Sequence, residues 1–476
     1  MKYGVGFMYK IVSIPVVRIA GAGLAGLTMG YALLSCGRAV EIIEKNPIEK
    51  QCGDPGRSYA IQLGPKGIEA LKTLGLWEGI KAHVRYMEGQ KIHINSGPEQ
   101  FVEVEAPYTP NHDHVYCHIE RSFLIAHLTE KVRSLGGVIR YGESIHDVEI
   151  PKGSVLIGAD GTHSDVRAQI SKDLQPGEPL VKPNIVMSYF VIRSLAMGEY
   201  DPHWAHLWVL PNAPTIVGLP NPDPCELNLV LLGPEPFLQR WSQPDKQREL
   251  LERIKLSSHQ TDVSDKTEKI RHIYALKHDL VSSEKEERHK ILVGDSLMVT
   301  PPWMGIAYNM AAVEAAELMN GLNKGEEFPA GFVAYLHKNH TEFNNVVDFA
   351  VALTDYMMKG SEKPLEGQVK CFFYKTKEGP FSSRFFEPNL RINALGSEGI
   401  PAREQFEAQT HILQTIAKFL ENYHDFKTLE NPVEFDRIMQ SLFVTNNANL
   451  SQSARSELNV IHEDILKNLP VIKFIV

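Results

Sequence analysis

The sequence predicts an α/β fold: a Rossmann-like domain assembled from separated segments, interleaved with an antiparallel-sheet domain and followed by a helical C-terminal region. Three observations predict it. A Gly-rich turn, GAGLAG at 21–26, follows an apolar strand and opens a helix. Residues 185–235 are dense in strand formers and are broken by Pro and Gly. Beyond about residue 326, apolar side chains such as Ile412, Ile416 and Phe419 recur at helical spacing.

The elements follow in chain order. Val16–Ala20 reads as a strand, 21–26 as a turn, and Leu27–Ser35 as a helix ended near Gly37. Ala39–Ile43 is the next strand and closes a βαβ unit. Residues 57–83 read as helical, with Ile68, Leu71, Leu74 and Ile80 on one face. The alternation over 90–104 suits strands. A helix over 121–136 would bury Phe123, Leu124, Leu128 and Val132. Val155–Gly158 is a buried strand, and 291–323 returns to strand-turn-helix. The domain division expected is 15–84, 118–180 and 280–325 for the nucleotide domain. Residues 85–117 and 181–279 form the sheet domain, and 326–476 the helical region.

Composition narrows the function classes. The chain has 476 residues, 43% hydrophobic and 22% charged, enough for two or three domains. Its net charge of −9 argues against a phosphate-backbone partner, so no nucleic acid is expected. The five cysteines show no CxxC spacing, which suits a reducing, cytoplasmic setting. The apolar N-terminus superficially resembles a signal peptide, but Arg18 interrupts it. A strand leading into the Gly-rich turn is the simpler reading. No run is long enough for a membrane span.

Three motifs carry the chemistry. In GAGLAG, Gly21 permits the tight turn and Gly23 lets backbone approach a pyrophosphate. Gly26 allows close helix–strand packing, with Leu24 and Ala25 between them. Glu44 lies 18 residues beyond Gly26 at the end of the second strand, followed by Lys45. An acid there accepts ribose hydroxyls of an adenine dinucleotide. The second motif, VLIGADGTHSDVR at 155–167, ends an apolar strand on Asp160 and turns at Gly161, with Ser164 and Arg167 able to tie the turn down. The third, GDSLMVTPPWMGIAYN at 294–309, places Asp295, Pro302, Gly305, Ala307, Tyr308 and Asn309 at a strand-turn-helix junction. Helix-start N–H groups around Gly305 to Tyr308 would stabilise negative charge. A bunch of His112, His114, Cys117 and His118 lacks a second half, so no metal is expected.

In this order the three motifs resemble the single-component FAD-dependent aromatic monooxygenases, most of all the kynurenine 3-monooxygenase branch, over about residues 15–325. The runs GRSYAIQLGPKGIEALKTLGL (56–76), HIERSFL (118–124) and HLWVLPNAPTIVGLPNPD (206–223) carry the same resemblance. It implies FAD as cofactor, NADPH or NADH as co-substrate, and O₂ delivering one oxygen atom to a small aromatic substrate. It also implies that Arg57 and Arg121 contact FAD, and that Asp160 and Asp295 lie beside its ribose, diphosphate and ribityl parts. Pro302 would sit at the flavin face with Trp303 and Met304. Tyr108 would line the substrate with Trp208 and Leu219, making Pro302 and Tyr108 the candidate catalytic residues.

The chain also departs from the family's pattern. Met298 stands in a usual His place, Ile306 for a common Gln, and Ala307 for a second Gly. A methyl at Ala307 strains the turn only where φ must be positive. Gln90 occupies the place of the carboxylate-gripping arginine, and Gln offers no charged bidentate clamp. Arg85 is the nearby substitute, and Asn344 and Asn345 are rough matches for a pocket asparagine. These departures leave two alternatives: a flavoprotein reductase or oxidase on the same scaffold, or a non-catalytic interaction protein with a vestigial flavin domain. Oligomeric state is not legible.

Overall fold

The computed structural model describes residues 16–48, 60–97, 100–107, 116–194, 200–210, 212–221, 227–256, 269–301, 305–340, 343–344, 347, 351, 374–375 and 473–474. Its centre is a six-stranded sheet. In spatial order the strands are Ser282–Lys285, Arg288–Leu292, Val155–Gly158, Val17–Ala20, Val40–Glu44 and Val138–Tyr141. The last five pair in parallel, and Ser282–Lys285 joins its neighbour as an antiparallel hairpin. Val155–Gly158 is buried at every position, because helices cover both faces of a parallel sheet.

The register matters most. Ala20 pairs with Gly158, and Gly158 with Leu292. All three motifs therefore leave the sheet at the same carboxyl edge, although more than a hundred residues of chain separate each from the next. Helix Leu24–Ser35 follows the first motif and packs against helix Ile306–Asn323, which follows the third.

The second sheet has seven strands in the order Arg271–Ala275, Asn184–Ser194, Leu227–Gly233, Thr215–Pro220, Trp204–Val209, Gly89–Gly97 and Gln100–Pro107. It is antiparallel, as the sequence predicts, except that Trp204–Val209 runs parallel to Gly89–Gly97. Those two strands come from remote parts of the chain, so no hairpin dictates their direction. One face of this sheet carries Trp208, Ile216 and Leu229 against Leu238, Trp241 and Leu250 of two covering helices. On another surface Ala205 and Leu219 meet Met87 and Tyr116. Met87 and Tyr116 belong to a three-stranded sheet, Ala60–Leu63, Tyr116–Glu120 and Val84–Met87, which joins the two large ones.

Two expectations need correction. The helical run expected over 57–83 contains a strand, Ala60–Leu63, then helices Pro65–Thr73 and Trp77–Ile80. Pro65 explains the break: it lacks an N–H to extend the strand and starts the helix, with Gly64 as cap. The first helix begins at Leu24, inside the expected turn, because Gly23 is already its cap. The helical reading beyond 326 holds for 330–340; most of 341–476 lies outside the described residues.

Arg18, odd in an apolar strand, pairs with Glu41 on the next strand at 2.9 Å, and Arg140 on the third closes on the same carboxylate at 2.6 Å. Arg18 faces Glu41 in register, and Arg140 reaches it from two positions along the next strand. Ile157 is fully buried between the strands of the first and third motifs. Ile157→Ala should cost about 2–5 kcal/mol in urea unfolding. A loss below about 1 kcal/mol would mean that this strand is not the centre of the core.

Candidate active site

The three glycines of the first motif have different physical reasons. Gly21 adopts φ +100°, and a Cβ there would lie 2.4 Å from the Ala159 carbonyl oxygen. A Cβ on Gly26 would lie 2.0 Å from the Gly21 oxygen. Both are required by the protein itself. Gly23 has φ −75°, and a Cβ built on it meets nothing within 4 Å. Backbone freedom and protein crowding do not demand glycine there; space left for a ligand at a helix N-terminus does. The neighbouring Leu24 and Ala25 are half-buried. A Cβ on Gly294 would come within 2.8 Å of the Ala25 side chain, so the first and third motifs touch.

Glu44 is buried at the strand end, where its Oε2 accepts from the Ala22 N–H at 2.9 Å. Oε1 accepts from the Asn46 N–H at 2.8 Å and from Asn46 Nδ2 at 2.7 Å. The acid assigned to a ribose thus also braces the Gly-rich turn. Lys45 beside it is exposed.

Asp160 differs more from expectation. Its carboxylate accepts from Ser164 Oγ at 2.5 Å, Ser296 Oγ at 3.0 Å, the Asp165 N–H at 2.7 Å and the Val166 N–H at 3.1 Å. Protein donors therefore take its lone pairs; Ser164 is the cap of helix Asp165–Leu174, and Asp160 accepts two further N–H groups of its first turn. Ser296 is the knot. Its hydroxyl accepts from the Gly161 N–H at 2.9 Å, and its carbonyl accepts from Arg167 Nη1 at 3.0 Å. The second and third motifs are stitched by a serine that the sequence reading missed. Its only sequence signal was a hydroxyl directly after Gly294-Asp295.

Asp295 is fully buried. Desolvation raises its carboxyl to about 6, against the opposing pull of Arg121 and Arg167. Arg121 opens helix Arg121–Ser134, so the predicted arginine does reach the predicted acid electrostatically.

The turn ahead of helix Ile306–Asn323 answers the Ala307 question. Gly305 is the left-handed residue, φ +58°, and Ala307 is helical, so its methyl costs no backbone strain. Tyr308 aims away: it is buried, meets Thr28 Oγ1 at 3.3 Å, and burial pushes its phenol up to about 12. Asn309 accepts from the Gly64 N–H at 3.0 Å and donates to the Gln62 carbonyl at 3.1 Å and to the Gly305 carbonyl. It clamps the missed strand Ala60–Leu63 onto the turn. Gln62 packs its side chain on Gly305, and its Nε2 is buried without a partner. An unmet amide at a helix N-terminus, with the open space at Gly23, fits a bound cofactor better than an empty fold.

The substrate candidates divide. Leu219 packs with Ala205, Met87 and Tyr116 at the junction of the sheets. Trp208, expected beside the substrate, instead belongs to the core under the covering helices, stacked on His93 at 5.0 Å. Strand alternation decides this, since a two-residue period separates Trp208 from Ala205 and Leu207. Gln90 lies at the register position opposite Ala205. Arg85 donates from Nε to the Asn221 carbonyl at 2.9 Å. Its cross-strand neighbour His118 donates from Nδ1 to the Pro220 carbonyl at 3.2 Å, and burial pulls that imidazole down to about 4. Cys117 is buried on the same strand. Asn344 donates to the His278 carbonyl at 3.3 Å. Arg57, Tyr108, His112, His114, Pro302, Trp303, Met304 and Asn345 lie outside the described residues.

Residues 152–350 match the family described as FAD binding domain. The chain is 30% identical to kynurenine 3-monooxygenase of Myxococcus xanthus over 148 residues, 31% of each chain. It is 27% identical to the Legionella pneumophila enzyme of that name over 230 residues, 44% of this chain and 49% of the other. Three motifs at one edge and the match over 152–350 mark an FAD-binding domain, and over part of its length the chain is similar to aromatic monooxygenases. Solved structures share the fold. Pseudomonas aeruginosa PqsL, solved in complex with 2-aminobenzoylacetate, superposes with TM-score 0.55 at 17% identity, over 72% of this chain and 96% of that one. The oxygenase of 2-methyl-3-hydroxypyridine-5-carboxylic acid does so with TM-score 0.57 at 20% identity, over 79% and 98%. The chain spans between about a third and a half of the length of the curated relatives it matches.

Two outcomes follow from this geometry. Gly23→Ala should keep the wild-type melting temperature while weakening FAD in a fluorescence titration, whereas Gly26→Ala should fail to fold. Equal FAD affinity in wild type and Gly23→Ala would show that no phosphate passes this turn. The second outcome concerns Asp295. A carboxyl raised in the folded state contributes stability that is fully present below its unfolded value of 3.8 and is lost as pH rises through about 6. Apoprotein Asp295→Asn should therefore melt higher than wild type at neutral pH, with no difference below about pH 4. A lower melting temperature at neutral pH would contradict it.

Proposed function

We propose that this chain is an FAD-dependent monooxygenase that uses NADPH or NADH and O₂ to hydroxylate a small aromatic substrate. The observation that carries the proposal is the convergence of the three motif strands on one sheet edge, around a Gly23 with open space at its Cβ position.

The residues divide the work. The N–H groups at Gly23 and Leu24 and the start of the first helix receive the diphosphate. Glu44 serves the adenine ribose while bracing the turn, and Lys45 flanks it. Asp295 serves the ribityl chain, with Arg121 balancing its charge. Gly161, through its bond to Ser296, positions the Asp295 turn. The N-terminus of helix Ile306–Asn323 and the Gln62 amide meet the flavin edge, where they favour negative charge. When bound, FAD supplies the electron transfer and oxygen activation, as cofactors do. The sheet junction around Leu219, Ala205, Met87 and Tyr116 is apolar, and it would position a ring and exclude water.

A kynurenine-like or 2-aminobenzoyl substrate is the first to test, from the printed names of the relatives and of the PqsL ligand. Arg85, already braced on the Asn221 carbonyl, is the cation to face its carboxylate, with Gln90 five residues on in sequence and Tyr108 as the tyrosine partner. One observation favours a second reading, a reductase or oxidase: the place of the carboxylate-gripping arginine holds an uncharged Gln at position 90.

The purified protein should be yellow and release FAD on denaturation. NADPH or NADH consumption should rise with the right aromatic, giving a product heavier by one oxygen atom. Consumption yielding peroxide alone would select the oxidase reading, and a colourless protein that takes up no added FAD would sink both. Arg85→Leu should raise KM for a carboxylate-bearing substrate by tenfold or more, on the order of one charge-assisted bond, with kcat less affected.

A further inference from the structure

Glu314 is a buried acid for which the reading above has no use. It sits within helix Ile306–Asn323, 0% exposed, among Ala311, Ala312, Ala315 and Ala316. Its Oε2 accepts from the Gly294 N–H at 2.9 Å. Its Oε1 is equally buried and has no partner. The next residue after that N–H is Asp295, the acid assigned to the cofactor.

The surroundings of the two acids differ. Arg121 and Arg167 bear on Asp295. On Glu314 the groups that bear are the Gly294 N–H and the Asp295 carboxylate itself. Tyr335, from helix 330–340, lies near it, and its phenol is raised chiefly by burial. An ionised Glu314 would hold a buried charge with one N–H and a like charge beside it. A neutral Glu314 leaves only one O–H unmet. Two carboxyls pushed apart in this way divide the roles: the one near the arginines ionises and the other keeps its proton.

We propose that Glu314 is a positioning residue that holds the Gly294–Asp295 turn as a neutral carboxylic acid. Asp295 then carries the single negative charge of the pair beside the ribityl chain. That last clause rests on the flavin reading; the neutral acid and the held turn do not. Burial also pushes the Glu314 carboxyl up to about 8, in the same sense.

The test uses the full chain and Glu314→Gln, which keeps shape, acceptor and neutrality, with Glu314→Ala as the disruptive variant. Infrared difference spectra of apoprotein, wild type minus Glu314→Gln, should show a protonated-carboxyl C=O band at neutral pH that fades as pH rises through about 8. Hydrogen exchange at 294–296 should be slow in wild type and Glu314→Gln and faster in Glu314→Ala. FAD should bind Glu314→Gln within about twofold of wild type and Glu314→Ala about tenfold more weakly, the weight of one lost hydrogen bond. Absence of the band at neutral pH, or a Glu314→Gln that exchanges as fast as Glu314→Ala, overturns the proposal. Both readouts are taken without cofactor. A chain that binds no FAD would therefore defeat the flavin reading and still leave the neutral acid decided.

Discussion

The site depends on one register. Ala20, Gly158 and Leu292 stand side by side across three parallel strands. That alignment brings the carbonyl of Ala159 to within 2.4 Å of where a Gly21 side chain would begin. It also brings Ser296 to Asp160 and Gly161, and Gly294 to Ala25. A shift of one residue along any of these strands would turn its side chains to the other face and pull its motif off the edge. Crowding by backbone, rather than any side-chain bond, explains why two of the three early glycines cannot be replaced.

On that frame lies a seam of buried polar groups. Asp160, Ser164, Arg167 and Ser296 are hydrogen-bonded to one another, and through Ser296 they hold the turn that carries Asp295. The seam continues through Gly294 to Glu314 on the far helix. Polar groups in such a dry place are costly unless paired, so a paired seam fixes one geometry for the turn. Among the described residues, Gln62 Nε2 and Glu314 Oε1 are left unpaired toward its ends, and Arg167 Nε within it.

Legibility followed physical range. The Gly-rich turn, the buried strand Val155–Gly158 and the antiparallel region could be read because each is dictated within a few neighbouring residues. The strand Ala60–Leu63 could not. Its four residues look like the start of a helix that Pro65 in fact begins, and only pairing with Tyr116–Glu120 makes them a strand. Trp208 suited either an aromatic pocket or the core by residue type, and strand parity sets it in the core. The protein partners of Asp160, namely Ser164, Ser296 and two helix-start N–H groups, were not legible as a set, since Ser296 lies 136 residues away.

The sequence by itself determined that the chain is an interleaved α/β protein with three nucleotide-type motifs, since turns, caps and apolar periods are local properties. It also marked Glu44 and Asp295 as acids at strand ends beside the Gly-containing turns. Only the tertiary structure decided which of those charges the protein itself uses. It decided that Gly305 rather than position 307 takes the left-handed turn, that Trp208 lies under the helices, and that Glu314 shares a buried site with Asp295. The reason is that burial and electrostatics are sums over neighbours in space, and those neighbours here come from different elements, from about twenty to well over a hundred residues apart.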